Sequence, residues 1–293
     1  MKYIIATNTI NRPAELVERS LQASLNQKIS PLKVILIDQN DTELELPERI
    51  TGNSIFERQK SDKNSVSAAR NCLKIPEDTE WIFFCDDDGY PCENYSEILK
   101  NLIEQNKQLK IFAGSIVRDD TNEFYSLRHK KGGSLKFFRN TKNLMGSNFV
   151  VHKDIFNQLG RFDETFGAGS YFGSGEETDF CWEAFFNKIP MEFFPELIVY
   201  HVPPFNESLK KGFRKSFKYG IGKGALVWKW LILKQKPIVL YEFFEMFFVP
   251  FLQFFRALIK LNPSFVLTNL AALAGRFYGL IKGMIHLKRR FYA

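Results

Sequence analysis

Three consecutive carboxylates, Asp86, Asp87 and Asp88, follow a short apolar run and are the residues of this sequence best suited to chemistry. The run over residues 81–84 is aromatic and apolar, which predicts a buried parallel strand that ends just before the acids. Acids placed this close together repel one another unless a cation neutralises them. Their oxygen atoms suit Mg²⁺ or Mn²⁺, ions that also hold substrate phosphates. The triplet therefore predicts a divalent metal site, and a solvated acidic turn is the simpler alternative.

The elements that would position these acids alternate along the first two thirds of the chain. Helices are predicted from Pro13 and over residues 65–73, and strands over residues 3–6, 31–37, 81–84, 111–117 and 146–151. Residues 130–133 are expected to form a flexible basic loop. Strands separated by single helices predict a Rossmann-like α/β sheet, which binds ligands at the carboxyl ends of its strands. No glycine-rich dinucleotide or P-loop fingerprint follows the first strand, which argues against a dehydrogenase or a P-loop NTPase.

Six short motifs occur in the order and spacing of one enzyme family. They are Thr7 with Arg12, Asp38, Ala-Arg-Asn at 69–71, the triplet at 86–88, Gly-Arg-Phe-Asp-Glu at 160–164, and Gly-Glu-Glu-Thr-Asp-Phe at 175–180. Over roughly residues 1–224 the chain thereby resembles the family 2 glycosyltransferases of the GT-A fold. The resemblance implies a mainly parallel central sheet with flanking helices. It also implies inverting transfer of a sugar from a nucleotide diphosphate sugar, expected to be a UDP-sugar, to an acceptor hydroxyl.

The resemblance also assigns roles to individual acids. Asp86 is expected near the ribose and, with Asp88, on the Mn²⁺ or Mg²⁺ ion that bridges the diphosphate. The family's base stands second in a Glu-Asp pair, which falls here on Glu177. Glutamate replaces the usual aspartate there, so Glu177 is favoured as the base and Glu176 is the alternative. Asp179 is expected to support the acceptor site. Complementation of a helix dipole is the plain structural alternative for all three acids.

Other residues of the donor site follow from the same resemblance. Those expected to bind the nucleotide sugar are Thr7, Asn8, Arg12, Asp38, Arg70, Asp86 and Asp87. Asp38 can accept a hydrogen bond from the uracil imide, and an Asx turn is its alternative. Arg70 is expected near the nucleotide or paired with the Asp triplet. His201 ends an apolar run and is expected on the metal or the diphosphate, unless it is a satisfied strand-end histidine. Residues 219–222 are expected to form a loop that closes over the diphosphate, with a plain basic surface as the alternative.

The net charge of +7 is the sum of an acidic first part and a strongly basic last part of the chain. From Phe205 onward there are 16 Lys and Arg against three acids, a net charge of +13, whereas the first 204 residues carry −6. This predicts an anionic surface, either membrane or nucleic acid, as the partner of the tail. The basic end at residues 288–290 is expected to strengthen that contact.

Two apolar helices are predicted in the tail, over residues 238–260 and 264–287. The polar residues of the first form one narrow stripe: Glu242, Glu245, Gln253, Arg256 and Lys260. Pro250 is expected to break this helix midway. Spanning a bilayer would bury charges at about 2.5–3.5 kcal/mol each. An interfacial helix on the inner face of the cell membrane is therefore favoured, with a helical cap or a dimer interface as the alternative.

These observations together predict a two-part cytoplasmic enzyme. Residues 1–224 are expected to form the catalytic domain and residues 225–293 a basic, membrane-proximal helical region. The first strand begins at once, without a secretory signal, and the four cysteines lack zinc spacing. The acceptor is expected to be a carbohydrate or lipid-linked glycan of bacterial surface polysaccharide or glycolipid synthesis. No nucleic acid partner is expected, and the oligomeric state stays open. The alternatives are a metal-dependent nucleotidyltransferase and a non-catalytic basic membrane- or nucleic-acid-binding module.

Overall fold

The computed structural model describes residues 1–203 and 208–291, with side chains up to residue 287. The chain divides into two compact units. The first comprises Met1–Asp163 with Phe180–Pro203, and the second comprises Glu164–Asp179 with Pro204–Ala293. The basic residues 288–290 lie outside the described side chains. The domain boundary predicted after residue 224 falls inside a helix of the second unit and stays a prediction.

An eight-stranded mixed sheet forms the centre of the first unit. Its strands are β1 (Tyr3–Thr9), β2 (Lys33–Asp38), β3 (Phe56–Lys60), β4 (Trp81–Cys85), β5 (Gly89–Pro91), β6 (Ile111–Arg118), β7 (Asn148–His152) and β8 (Met191–His201). The strand order is β3-β2-β1-β4-β7-β6-β8-β5. The first four strands in that order pair in parallel, whereas β7 is antiparallel to β4 and to β6, and β5 is antiparallel to β8. β6 and β8 are parallel.

Ten helices surround or follow the strands in the described part of the chain. They are α1 (Ala14–Leu25), α2 (Glu48–Thr51), α3 (Val66–Asn71), α4 (Tyr95–Gln105), α5 (Leu127–Lys131), α6 (Lys153–Gln158), α7 (Glu176–Phe186), α8 (Leu209–Trp228), α9 (Leu240–Ile259) and α10 (Pro263–Phe291). A π-helical turn (Lys229–Leu233) extends α8, and two 3₁₀ turns occupy Phe138–Asn143 and Pro237–Val239.

Burial explains why the predicted strands form. Every residue of β1 and β4 is buried, as expected for strands covered on both faces. Phe84 of β4 packs with other phenylalanines as one aromatic group with ring centroids 5.2–6.2 Å apart; the others are Phe149, Phe156, Phe162 and Phe180. This group supports the end of β4 and therefore the position of the acids that follow it.

Two local predictions are wrong, and a third is wrong for half of its residues. Residues 130–133 were expected to be a flexible loop, but α5 runs to Lys131, begins at a Ser126 cap and ends at Gly132, whose φ is +60°. The predicted loop at residues 219–222 lies within α8. Pro250 does not break α9, which continues through it. Pro250 removes one backbone hydrogen bond, and the buried neighbours Met246 and Ala257 on the packed face hold the helix together.

Glycines bring α8 and α10 into close contact in the second unit. A Cβ on Gly224 would lie 2.1 Å from the carbonyl oxygen of Arg276, and one on Gly279 would lie 2.2 Å from that of Ile221. A Cβ on Gly275 would lie 2.2 Å from the carbonyl oxygen of Phe217, and one on Gly220 would lie 2.7 Å from that of Ala272. Small residues four positions apart permit this approach of two helix backbones, a packing common among membrane helices.

α9 presents its apolar side outward. Glu242 of the predicted polar stripe is 3% exposed and pairs with Lys223 of α8, whereas Phe244 and Phe248 are 62% and 61% exposed. The first part of the stripe therefore faces the other helices, where the half-buried Lys223 supplies the opposite charge. The helical stretches Pro237–Ile259 and Pro263–Leu287 are long and apolar enough to cross a membrane, with mean hydropathies of 1.6 and 1.3.

Candidate functional site

The Asp triplet lies in the turn between β4 and β5. β4 ends at Cys85, and the amide of Gly89 donates to the carbonyl of Asp86 at 3.2 Å. β1 is the parallel neighbour of both β4 and β2, so the carboxyl ends of these strands lie at one edge of the sheet. That edge is where open α/β sheets bind their ligands.

Asp86, Asp88 and His201 form a cluster that could hold a metal ion. One ligand atom from each residue lies within 4.8 Å of the others. His201 reaches the triplet because β8 pairs with β5 and places His201 opposite Gly89. The Nδ1 atom of His201 lies 2.9 Å from the carbonyl oxygen of Val202, which leaves Nε2 facing the carboxylates. Two carboxylates and an imidazole fit a divalent cation such as Mn²⁺.

The His201–Asp88 contact is an ion pair. Nε2 of His201 lies 3.0 Å from Oδ1 of Asp88. Burial opposes the charge of His201, but the hydrogen bond and negative charge of Asp88 outweigh it and raise the pKa of His201 to about 9. Burial likewise opposes the charge of Asp88, yet His201 and Arg12 together hold the pKa of Asp88 below its ordinary value. A bound cation would take the place of the imidazolium proton.

Asp87 anchors the turn to the segment after β1. Its two carboxylate oxygens accept hydrogen bonds, one from Thr9 Oγ1 at 2.7 Å and one from Arg12 Nε at 2.9 Å. Burial raises the pKa of Asp87 to about 6, against the opposing effects of Arg12 and Thr9. Arg12 also reaches Asp88, with Nη1 at 3.1 Å from Oδ2. Arg12 is therefore placed beside two of the three acids, and its contact with a nucleotide sugar stays a prediction.

Arg70 pairs with the first acid from beneath. Its side chain is 2% exposed, and Nη2 lies 2.9 Å from Oδ1 of Asp86. Nε donates to Oδ1 of Asn8 at 3.1 Å, and Nη2 also donates to the carbonyl of Gly146 at 3.2 Å. Nη1 has no hydrogen-bond partner among the described residues. The structural ion pair predicted as one role of Arg70 is present, and its contact with a nucleotide stays a prediction.

Asp38 is fully buried, and its carboxylate accepts hydrogen bonds from the turn that follows it. Its Oδ1 accepts from the backbone and side-chain nitrogens of Asn40 at 2.9 and 2.8 Å. Oδ2 accepts from the amide of Leu44 at 3.4 Å and lies 3.6 Å from Arg58. This is the Asx turn that was the alternative for Asp38. Contact with a base through this residue stays a prediction.

Thr7 and Asn8 complete the edge of the sheet at the end of β1. Thr7 is fully buried, and its Oγ1 has no hydrogen-bond partner among the described residues. Asn8 is 8% exposed and donates to Oε1 of Gln39 at 3.3 Å. Their predicted contact with the nucleotide sugar is not tested by this geometry.

The second unit carries the acids at the start of α7. Glu176 and Glu177 are half-buried in its first turn, after the glycine-dense loop. Gly175 has φ +99°, and a Cβ there would lie 2.7 Å from Leu226 Cδ1, so the residue before the helix must be glycine. Asp179 is buried and accepts hydrogen bonds from Lys229 and Trp230, each at 2.7 Å. Sequence reasoning missed Lys229 and Trp230, because no spacing links two tail residues to an acid 50 positions earlier.

Comparison with known proteins agrees with this arrangement. Residues 4–160 match the family model for glycosyl transferase family 2. The crystal structure of S. aureus TarS is similar, with a TM-score of 0.57 and 14% identity, over 79% of this chain and 40% of that chain. The chain thus spans about two fifths of the length of TarS. A search of curated proteins finds no match.

The chain belongs to glycosyl transferase family 2, and its fold is GT-A. The family commonly uses a divalent metal, and the family implies a nucleotide sugar donor and an acceptor. The predicted fold class is confirmed, including the C-terminal helices. Two apolar C-terminal helices are compatible with peripheral association of this fold with a membrane.

Proposed function

We propose that this protein is an inverting, metal-dependent glycosyltransferase that transfers a sugar from a nucleotide diphosphate sugar, a UDP-sugar by preference, to an acceptor hydroxyl. The observation that carries the proposal is the cluster of Asp86, Asp88 and His201 at the carboxyl edge of the sheet in a chain of this family. The leaving group of such a reaction is a nucleoside diphosphate, whose negative charge must be stabilised as it develops.

Two arginines hold the carboxylates of this cluster in place. Asp86, Asp88 and His201 would hold a divalent ion, which supplies Lewis-acid stabilisation of the departing diphosphate when bound. Arg70 fixes Asp86 from the buried side, and Arg12 fixes Asp88. Fixed carboxylates need no reorganisation during the reaction, which is how electrostatic stabilisation becomes effective.

The acceptor hydroxyl must lose its proton as it attacks the sugar. We assign this proton to a carboxylate oxygen of Glu177, with Glu176 as the alternative, because both stand half-buried on the first turn of α7. Direct attack on the face opposite the diphosphate inverts the anomeric centre. Asp179 has both oxygens committed to Lys229 and Trp230, so it is better suited to position the turn than to take the proton.

A lipid-linked glycan fits the rest of the molecule as the acceptor. The second unit exposes large apolar side chains along α9 and α10, among them Phe244, Phe248 and Phe277 at 62%, 61% and 61%. Lys210, Lys211, Arg214 and Lys218 are exposed on α8 of the same unit. Apolar residues beside a basic surface favour an anionic membrane. We infer a peripheral enzyme on the cytoplasmic face of the membrane, acting in surface polysaccharide or glycolipid synthesis.

The direct test measures release of nucleoside diphosphate from a panel of UDP-, GDP- and TDP-sugars with Mn²⁺ or Mg²⁺, in the presence of carbohydrate and lipid-linked acceptors. We expect activity with one donor class, loss of activity in EDTA, and recovery on adding Mn²⁺. Asp88→Asn should abolish transfer and weaken donor binding, because it removes a charged ligand. Asp78→Asn is the control, since Asp78 is an exposed aspartate that pairs with Lys2.

Two results would contradict this function. Full activity of wild-type protein in EDTA would exclude the metal cluster from the reaction. Release of pyrophosphate in place of a nucleoside diphosphate would identify a nucleotidyltransferase.

A further inference from the structure

Asp179 is the buried acid of the first turn of α7, and donors from the C-terminal helices take both of its carboxylate oxygens. Only 4% of Asp179 is exposed. Lys229 Nζ lies 2.7 Å from Oδ2, and Trp230 Nε1 donates to Oδ1 at 2.7 Å. Lys229 is itself 7% exposed, and its Nζ lies 5.3 Å from the ring centroid of Phe166. The carboxylate is thus held in a doubly hydrogen-bonded ion pair away from water.

The two donors are neighbours in sequence, and they lie where the chain leaves the regular α-helix. Successive α-helical residues point about 100° apart, so adjacent side chains diverge. α8 ends at Trp228, and the chain continues as the π-helical turn Lys229–Leu233. Such turns are rare and occur frequently at functional sites. The widened turn is where Lys229 and Trp230 both reach Asp179.

The loop before α7 is seated on the same helices. Ser174 Oγ donates to the carbonyl of Tyr219 at 3.4 Å, and a Cβ on Gly222 would lie 2.2 Å from Ser174 Oγ. Lys282 Nζ donates to the carbonyl of Tyr171 at 2.9 Å. α8 therefore contacts the loop at Ser174, and α10 contacts it at Tyr171. Asp179, in the helix that follows the loop, adds the third contact with this part of the chain.

We propose that Lys229 and Trp230 are positioning residues for the catalytic turn of α7, and that they fix Glu176 and Glu177 through Asp179. This inference rests on the proposed role of Glu177 as the base. Glu177 is two residues from the anchored acid, on the same helical turn, so movement of Asp179 moves Glu177 with it. Misplacing a reacting group by about 1 Å can cost 10²-fold in rate. Loss of the anchor should therefore lower kcat while donor affinity is unchanged.

Trp230→Phe is the sharpest test, because it removes the indole N–H and keeps an aromatic ring. Trp228→Phe is its matched control: Trp228 is two positions away, and its Nε1 has no hydrogen-bond partner among the described residues. In the full-length protein we expect Trp230→Phe to lower kcat about 10–100-fold. The donor KM and the calorimetric affinity for UDP with Mn²⁺ should not change. Trp228→Phe should keep the wild-type kcat.

Variants of Lys229 test the ion pair separately. Lys229→Met removes the ammonium group that contacts Asp179, whereas Lys229→Arg keeps a charge and a donor and should recover part of the lost rate. Asp179→Asn combined with Lys229→Met should cost no more than the worse single variant, because the two groups act as one unit. Should Trp230→Phe fail to fold, the two Lys229 variants decide the matter. A rate for Lys229→Arg no better than that of Lys229→Met would overturn the inference.

Hydrogen exchange separates this inference from the proposed function. Trp230→Phe should speed exchange of the backbone amides over residues 175–180 relative to Trp228→Phe, whether or not the protein transfers sugar. If wild-type protein uses no donor, the proposed function fails, and the exchange result alone supports or overturns the anchor. Wild-type kcat in both Trp230→Phe and Lys229→Met would overturn the inference, as would unchanged exchange.

Discussion

Glu176 and Glu177 are adjacent on one helical turn, so their side chains point about 100° apart and only one of them suits a given acceptor hydroxyl. Glu177→Gln keeps the shape of the side chain but cannot take a proton. We expect its turnover to fall about 10²–10⁴-fold while UDP binding stays at the wild-type level. Glu176→Gln is the matched control, because Glu176 is also half-buried in the same turn. The measurement is single-turnover transfer with a saturating donor.

The opposite result for the two glutamine variants would assign the role of base to the neighbouring residue. A large loss in Glu176→Gln with a nearly active Glu177→Gln would assign the proton to Glu176. Normal turnover in both variants would remove α7 from the chemistry.

His129 makes a pH-dependent contribution to stability at the residue scale. It is 1% exposed; Nδ1 accepts from the amide of Ile116 at 3.0 Å, and Nε2 lies 3.1 Å from the carbonyl of Asn143. A second proton would place an N–H at Nδ1 against the amide of Ile116. Burial lowers the pKa of His129 from 6.5 to about 4. The unfolded chain therefore binds more protons than the folded one between these values.

Stability from His129 is fully present above pH 6.5 and is lost as the pH falls toward 4. The lost free energy of unfolding is on the order of 3 kcal/mol. His129→Gln removes the titrating group, so the difference between wild type and variant should shrink as the pH falls. Urea unfolding at pH 7.5 and 4.5 measures this. A difference that is the same at both pH values would show that His129 does not contribute.

At the scale of elements, the glycine contacts decide whether α8 and α10 can pack. Gly279→Ala places a methyl group 2.2 Å from the carbonyl oxygen of Ile221, so the helices must separate. We expect unfolding free energy to fall by about 1–3 kcal/mol. Gly212→Ala is the control, because the nearest described atom to its Cβ would be Thr268 Cγ2 at 3.6 Å, an ordinary contact distance.

Opposite signs are expected for these two substitutions. Alanine is favoured over glycine inside a helix by about 1 kcal/mol, so Gly212→Ala should be neutral or stabilising. Thermal unfolding of both proteins gives the comparison. Equal effects of Gly279→Ala and Gly212→Ala would show that α8 and α10 do not pack through this contact.

Membrane binding belongs to the scale of the whole molecule. Each Lys or Arg near an anionic surface is worth about 1 kcal/mol, and exposed phenylalanines add apolar insertion. We expect full-length protein to co-sediment with vesicles that contain anionic phospholipid, and binding to weaken with salt. Phe244→Glu combined with Phe248→Glu should abolish binding, because it places charge on the outward face of α9.

Phe137→Glu is the control for this membrane experiment. Phe137 is as exposed as Phe248, at 61%, but lies in the first unit. Its substitution should leave vesicle binding unchanged. Binding that ignores anionic lipid, or that survives the double substitution on α9, would assign the apolar face to a partner other than a membrane.

Local signals determined most of the first unit. Apolar runs predicted β1, β2, β4, β6 and β7, because a strand covered on both faces is apolar throughout. The acids after β4 and the histidine at the end of β8 were recognised for a similar reason, since polar residues that end buried strands meet at one sheet edge. Helix boundaries such as Ser65 before α3 also have a local cause, a side-chain cap.

Only the tertiary structure decided how the remaining residues are used. Glycines at positions 220 and 222 look like a loop in sequence, and they lie inside α8 because another backbone must approach there. In sequence, Glu242 belongs to a polar stripe expected to face solvent. In the structure it is buried and forms an ion pair with Lys223. The hydrogen bonds from Lys229 and Trp230 to Asp179 span 50 and 51 residues, and both donors lie in a π-helical turn. Such contacts depend on long-range packing, and no local pattern of residues specifies them.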